Sequence, residues 1–388
     1  LTGVKLNTAA AQGKYHLVML ALAFAIAFLL HLLLFAMAPM VTTIMAEMNL
    51  SHADFGLVFS VIVIGLVLFR LPWGLFGDRI GYLSAFRIAL PLSAAFALLR
   101  AFAPGYPTLL ASQFFLGLGL AVVLPCLPLV VKEWAPKSPG LGTGVYISGF
   151  AAGNATALAL TPRLLEMLSW REVLLIYSAL AVLVSLLWWA LARSAVKSTS
   201  GMQLRNFTRI LKDRYVWVLL FFLMAAMGSY DTLTTWLPKV LEMKGLDPAL
   251  ASLLPLGFFL AGPTIGLVSD RFASMRALIA LLGIVAALAI IGINYAPFPL
   301  LMLCIFLAGF STIGVLTISL AVPAHHPRLS PMAASVAGLI SSLGNAGSLV
   351  MPVLFGFLID VTGTFHASIF AVAALVGVIL VLGSRLSE

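Results

Sequence analysis

The sequence predicts an all-α membrane protein: twelve transmembrane helices in two pseudo-symmetric six-helix bundles. Three observations carry that expectation. Of the 388 residues, 62% are hydrophobic and only 9% charged. The apolar residues gather into twelve long runs, and one short sequence pattern recurs 192 residues downstream. A soluble domain carries about 25% charged residues; this chain has too few to cover its own surface in water, so lipid must solvate most of it.

The polar stretch through Lys14 contains no small-residue cleavage site, so the first apolar run, residues 15–40, is expected to stay as a helix and not be removed as a signal. Proline, glycine or charge then separates runs at 53–76, 81–103, 106–131, 140–166 and 170–193. Residues 194–213 form the extended polar stretch of the chain, with Lys197, Arg205, Arg209 and Lys212, and read as a cytoplasmic linker between halves 1–193 and 214–388. The second half repeats the pattern at 214–240, 246–269, 274–296, 297–323, 331–358 and 364–385. A spanning helix needs about 20 apolar residues, so twelve of them use nearly the whole chain. An ATP-driven pump, which needs a soluble nucleotide-binding domain, finds no room.

The formal charge of +9 does not indicate nucleic acid, because the basic residues sit in short loops between apolar runs. With both termini inside, sixteen Lys and Arg fall on the inner side and five outside (Arg100, Arg163, Arg171, Lys239 and Lys244), while Arg70 lies within a helix; together these account for all 22. That asymmetry fits the positive-inside rule and an even number of spans in a cell inner membrane. Cys126 and Cys304 lie inside apolar runs at no metal or redox spacing and read as small packing residues. No zinc-protease, phosphate-loop or nucleophile-elbow pattern occurs, so neither an enzyme nor a cofactor is expected.

The repeat is Gly74-Leu75-Phe76-Gly77-Asp78-Arg79, answered by Gly266-Leu267-Val268-Ser269-Asp270-Arg271, each copy at the inner end of the second helix of its half. Internal repeats of this kind mark secondary transporters whose site lies between the halves. Gly74 permits a close helix contact, Gly81 a tight turn, and Asp78 is suited to face a helix N-terminus, where a carboxylate is favoured.

On these residues the chain resembles the major facilitator superfamily over nearly its whole length. The resemblance implies alternating access with gating by Gly74, Asp78, Arg79 and Gly81, and by Gly266, Asp270 and Arg271 in the second half. The basic pair usual after the second glycine is replaced by Tyr82 and Leu83, which implies a weaker latch. A narrower resemblance is to the nitrate/nitrite porters and cyanate-type carriers. It rests on Arg70-Leu71-Pro72-Trp73-Gly74 in helix two, Gly149 to Asn154 in helix five and Gly344-Asn345-Ala346-Gly347 in helix eleven. Nitrate porters carry a second arginine four residues before the later glycine; here that position is Gly262, so the paired clamp is half missing. Carriers with this resemblance often work as monomers.

Arg70 is the leading candidate for binding substrate. A cation in a spanning helix costs roughly 2.5–3.5 kcal/mol on insertion scales, so it should face a cavity or a partner. Its planar fork suits a carboxylate or another planar oxyanion. The alternative is an arginine snorkelling to the inner surface or paired structurally. Tyr230 and Asp231 stand in a polar stretch of helix seven; Asp231 is a candidate proton carrier, or else an outer-end acid paired with Lys239. His31 aligns with Tyr230 when Pro39 and Pro238 are superposed, and reads as a cavity residue, a second candidate for proton coupling, or a structural histidine. Asn154, Asn345 and Ser342 are candidates for the polar shell of the anion, with helix-to-helix hydrogen bonding as the competing role. The expected function is secondary active transport of a small anion: a monocarboxylate, a cyanate-like ion, or nitrate or nitrite, coupled to protons through Asp231 or His31. Export of a hydrophobic or cationic compound, with Asp231 as the cation's partner, and a transport-inactive sensor or scaffold are the rival readings.

Overall fold

The computed structural model of the chain describes residues 8–193, 213–269, 275–325, 329 and 333–383, and the regular structure among them is helical. Twelve rods account for it. In the first half, α1 is Thr8–Phe35, carried on past a 3-10 turn at Ala38–Met40 by Val41–Met48, and α2 is His52–Ile80. Then come α3 (Tyr82–Ala101), α4 (Tyr106–Leu120 and Val123–Trp134), α5 (Pro139–Leu165) and α6 (Trp170–Leu191). In the second half, α7 is Arg214–Met243, α8 is Leu253–Ser269 behind a 3-10 turn at Pro248–Ser252, and α9 is Met275–Tyr295. The last three are α10 (Leu300–His325), α11 (Ala333–Gly344 and Ala346–Thr362) and α12 (His366–Gly383). Among the described residues nine rods are long and apolar enough to cross a membrane by length and composition; α5, α8 and α12 complete the two bundles.

The boundaries follow from local chemistry. The first run was expected to end at residue 40, but Pro39 only tightens the rod into a 3-10 turn and the helix resumes to Met48. A proline lacks the amide donor that the interior of a helix needs, and a short 3-10 segment absorbs the loss. A capping box starts α2: Ser51 Oγ accepts from the Asp54 amide at 3.1 Å and Asp54 accepts from the Ser51 amide at 3.0 Å. Ser169 and Glu172 repeat it at α6. The one-residue turn from α2 to α3 is Gly81, at φ +81°, a conformation that favours glycine.

Packing repeats with a shift of six. In the first half α1 packs on α5, α2 on α4 and α3 on α6; in the second α7 packs on α11, α8 on α10 and α9 on α12. Between the halves α2 meets α11, and α5 meets α8. Both described chain ends, and the turns at Gly81 and between α4 and α5, fall at one end of the bundles, called here the terminus face.

At the opposite face the halves are joined. Ser60 Oγ donates to the Leu349 carbonyl at 2.6 Å, Lys239 Nζ to Thr42 Oγ1 at 2.7 Å, and Arg163 pairs with Asp247. Asp360, near the end of α11, accepts from the His52 amide at 3.0 Å and the Ala53 amide at 2.8 Å, and its Oδ1 lies 2.7 Å from His52 Nδ1. It thus caps α2 from across the interface. Losing a helix cap costs about 0.5–2 kcal/mol. Asp360→Ala is therefore expected to loosen this face, lengthening the spin-label distance between the far ends of α2 and α11 measured by pulsed electron resonance. An unchanged distance distribution would count against the cap as a latch.

The gating residues fare unevenly. Asp270 and Arg271, and linker residues 194–212, lie outside the described residues, and Asp78 is described in its backbone alone. Arg79 is exposed in the last turn of α2. Gly74 does not make the close contact expected of it: a Cβ there would stand 3.5 Å from Pro125 Cβ, an ordinary separation. The tight approach is one turn on, where a Cβ at Gly77 would meet Cys126 Sγ at 3.0 Å. Tyr82, in the place of the family's basic residue, is buried, donates to Glu133 at 2.8 Å and accepts from Trp134 Nε1 at 3.0 Å.

Candidate functional site

A cavity of about 740 Å³ lies between the two bundles. Each helix around it contributes one face at helical spacing: Val63, Leu66 and Arg70 from α2, Leu223, Met227, Tyr230 and Asp231 from α7, and Ile313, Leu316, Thr317 and Leu320 from α10. It extends from His31 and Phe258 in the middle of the molecule to Gly140, in the first turn of α5, and so runs toward the terminus face. Most of the wall is aliphatic or aromatic.

Arg70 is on that wall. Its Nε is buried without a hydrogen-bond partner, and among the described residues no carboxylate pairs with it. The side chain is half-buried and faces the cavity, not a structural partner among the described residues. A guanidinium left unpaired on a mostly apolar wall is costly, whereas a bound oxyanion would satisfy its fork.

Asp231 is also on the wall, and Lys239, its expected alternative partner, is engaged elsewhere, with Thr42 at 2.7 Å and Glu242 at 3.6 Å. Arg70 stands ten residues from the terminus-face end of α2, and Asp231 seventeen from that end of α7. At 1.5 Å per residue the carboxylate lies about 10 Å deeper than the cation. At this deep end the wall is aromatic. His31 stacks on Phe150 with ring centroids 4.7 Å apart, and Tyr230 meets Phe258 edge to face at 5.6 Å. His31 and Phe258 face each other across the two halves at 6.3 Å.

The polar shell is arranged differently from expectation. Asn154 lies off the cavity wall, fully buried, and donates one amide hydrogen to the Tyr230 hydroxyl at 2.9 Å. It joins α5 to α7 and holds Tyr230 in place. Asn345 does line the cavity, but its amide donates to the Ser341 carbonyl one turn back at 2.7 Å. Ser341, not Ser342, is on the wall. Two carboxamides expected to serve an anion thus spend donors on the protein in this conformation. Trp236 is a packing residue, donating to the Pro352 carbonyl at 2.9 Å.

Sequence motifs do not single out every residue on the wall: Phe150 stands within a motif, whereas Phe258, Thr143 and Thr317 belong to none; a polar threonine in an otherwise apolar helical face is the available signal for the last two. Arg100 shows the reverse error. Charge counting put it outside, yet it is fully buried in the first bundle, donating to the Leu33 carbonyl at 2.8 Å and to Gln113 Oε1 at 3.3 Å.

The glycines of the two motifs explain how the wall is held. A Cβ at Gly153 would stand 2.1 Å from the Phe28 carbonyl oxygen of α1, and one at Gly347 would stand 2.0 Å from the Met224 carbonyl oxygen of α7. The same contact therefore occurs in both halves and brings the helix backbones together, as small residues do between membrane helices.

Comparison with known proteins agrees with this architecture. The chain is 27% identical over 337 residues to the gentisate transporter of Corynebacterium glutamicum, covering 81% of this chain and 74% of that protein. It is 25% identical over 356 residues to the nitrite extrusion protein of Bacillus subtilis (strain 168), covering 89% and 88%. Among solved structures it superposes on the nucleoside transporter NupG with a TM-score of 0.80 at 13% identity, covering 97% of this chain and 100% of that one. Two bundles related by a shift of six helices, a cavity between them and a family model matching residues 23–345 together make this chain a transporter and a member of the Major Facilitator Superfamily.

Proposed function

We propose that the protein moves a small organic or inorganic anion across the cell inner membrane by alternating access, with Arg70 holding the anion. The observation that carries this reading is an arginine on the wall of the central cavity with no carboxylate partner among the described residues. The gentisate and nitrite transporters among the relatives are named for anions, which supports the same class. The bias of Lys and Arg in the loops supports a cytoplasmic terminus face. The cavity then runs toward the cytoplasm, and the polar contacts opposite close the outer side. In this reading residues 1–193 rock against 214–388, the loop at Asp78 and Arg79 gates the cytoplasmic side, and Asp360 latches the outer one.

Asp231 is the proposed proton carrier. It is deep in the same cavity, where a carboxyl reachable from either side in turn could load and unload a proton. His31, on the same wall, is the second candidate. Anion carried with a proton is electrically neutral for a monovalent substrate, which spares the bilayer a charge. The test is counterflow in proteoliposomes under an imposed pH gradient. The wild type is expected to accumulate labelled benzoate or nitrite when the gradient is present. Asp231→Asn is expected to exchange anion but lose at least about tenfold of the gradient-driven accumulation. Inhibition by organic cations and not by anions would instead favour export of a cationic compound with Asp231 as its partner.

A further inference from the structure

The wall around Arg70 decides what kind of anion fits. A nitrate-sized ion spreads its charge over all its oxygens and needs polar groups on every side to replace its water. The cavity offers one guanidinium, and Gly262, standing where a nitrate porter has its second arginine, lies on the same wall with open space where a side chain would project. Asn345 already spends a donor on Ser341, and Asn154 is off the wall. The volume of about 740 Å³ is that of a site for an organic molecule. The same wall carries Leu66, Leu124, Ile147, Phe150 and Phe258.

We infer that the substrate is an amphipathic organic monocarboxylate, of aryl or comparably bulky apolar body, bound with its carboxylate on Arg70 and its body against Phe150, Tyr230 and Phe258 of the same wall. This rests on the anion reading above and narrows it. The cavity wall supplies both halves of such a ligand: a planar fork for the carboxylate, and a cluster of ring faces and edges from both bundles for the body. A carboxylate carried on an apolar body leaves water readily at one end only, which matches a mostly apolar wall on which Arg70 is the cation free of a partner among the described residues. Because the body touches Phe150 of the first bundle and Phe258 of the second, it also bridges the two parts that must close around it.

The test is binding to the full-length detergent-solubilised protein, read as a shift in apparent unfolding temperature at constant ionic strength, since a ligand that prefers the folded form raises it. The probes are sodium acetate, butyrate, hexanoate, benzoate and nitrate, with benzyl alcohol as the neutral analogue. Half-effect concentration is expected to fall about fourfold for each added methylene, with benzoate at least as effective as hexanoate and both lost in Arg70→Gln. Phe258→Ala is expected to weaken benzoate about tenfold while leaving acetate unchanged. Nitrate as effective as benzoate, or no trend along the acid series, with both still dependent on Arg70, would overturn this inference and leave the anion reading standing. Anion effects that are absent, or that persist unchanged in both Arg70→Gln and Arg70→Ala, would overturn the two together, as would benzyl alcohol matching benzoate.

Discussion

Arg70→Ala protein, reconstituted into liposomes, is expected to lose about 30- to 1,000-fold in the rate of labelled anion uptake at low substrate concentration, with its amount in the membrane unchanged. The magnitude follows from removing the charged partner of a desolvated ion pair, worth about 2–4 kcal/mol. Folding should survive, because the guanidinium makes no ion pair among the described residues and its Nε bonds to nothing. Removing it relieves an unpaired charge on an apolar wall. Arg70→Lys should recover part of the loss, since an ammonium keeps the charge and gives up the planar fork. The expected order is therefore wild type, then lysine, then alanine, measured as initial uptake against substrate concentration. Uptake by Arg70→Ala equal to wild type would remove the anion assignment and leave the fold untouched.

Gly347→Leu is expected to have an equally large effect of a different kind, namely loss of folded protein. Its Cβ would fall 2.0 Å from the Met224 carbonyl oxygen, and Gly228 of α7 already lies against the Gly347 backbone. The obstruction is helix backbone, not the end of a flexible side chain, so α7 and α11 must separate. Overpacking of this sort costs about 3 kcal/mol or more. Gly153→Leu should behave alike, because α1 and α5 meet in the same way at the Phe28 carbonyl. Gly377→Leu in α12 is the control: nothing lies within 4 Å of a Cβ there, and the variant should purify as the wild type does. Size-exclusion profile and thermal unfolding of the three proteins provide the comparison. A monodisperse, normally stable Gly347→Leu protein would mean that the bundle tolerates a gap between α7 and α11, contrary to the packing described.

The cap at Asp360 gives the α2–α11 pair a reciprocal character. Gly56 and Gly356 bring the two helices together at the same place, where a Cβ on either would meet the other helix's backbone oxygen at 2.5 Å or 2.2 Å. The contact is therefore both a close backbone approach and a capped helix end. In the proposed cycle it parts when this face opens, and its hydrogen bonds would then set part of the balance between states.

Much of this protein was determined by the sequence by itself. Composition required a lipid solvent, run lengths gave twelve spans, and the Gly-to-Arg repeat at 74–79 and 266–271 gave two halves. These are local or periodic properties, and the bilayer enforces them span by span. Arg70 was legible for a related reason: a cation with no acidic neighbour in its own helix is conspicuous wherever the chain takes it. Tertiary structure alone decided the rest. Whether Asn154 served an anion or Tyr230 depended on how α5 meets α7, and whether Arg100 faced water or the Leu33 carbonyl depended on α1. The apolar wall of the cavity is shared by helices far apart in the chain. Side-chain partners across helices are set by close packing of backbones at glycines such as Gly153 and Gly347, and no pattern within a single span encodes which backbone will arrive there.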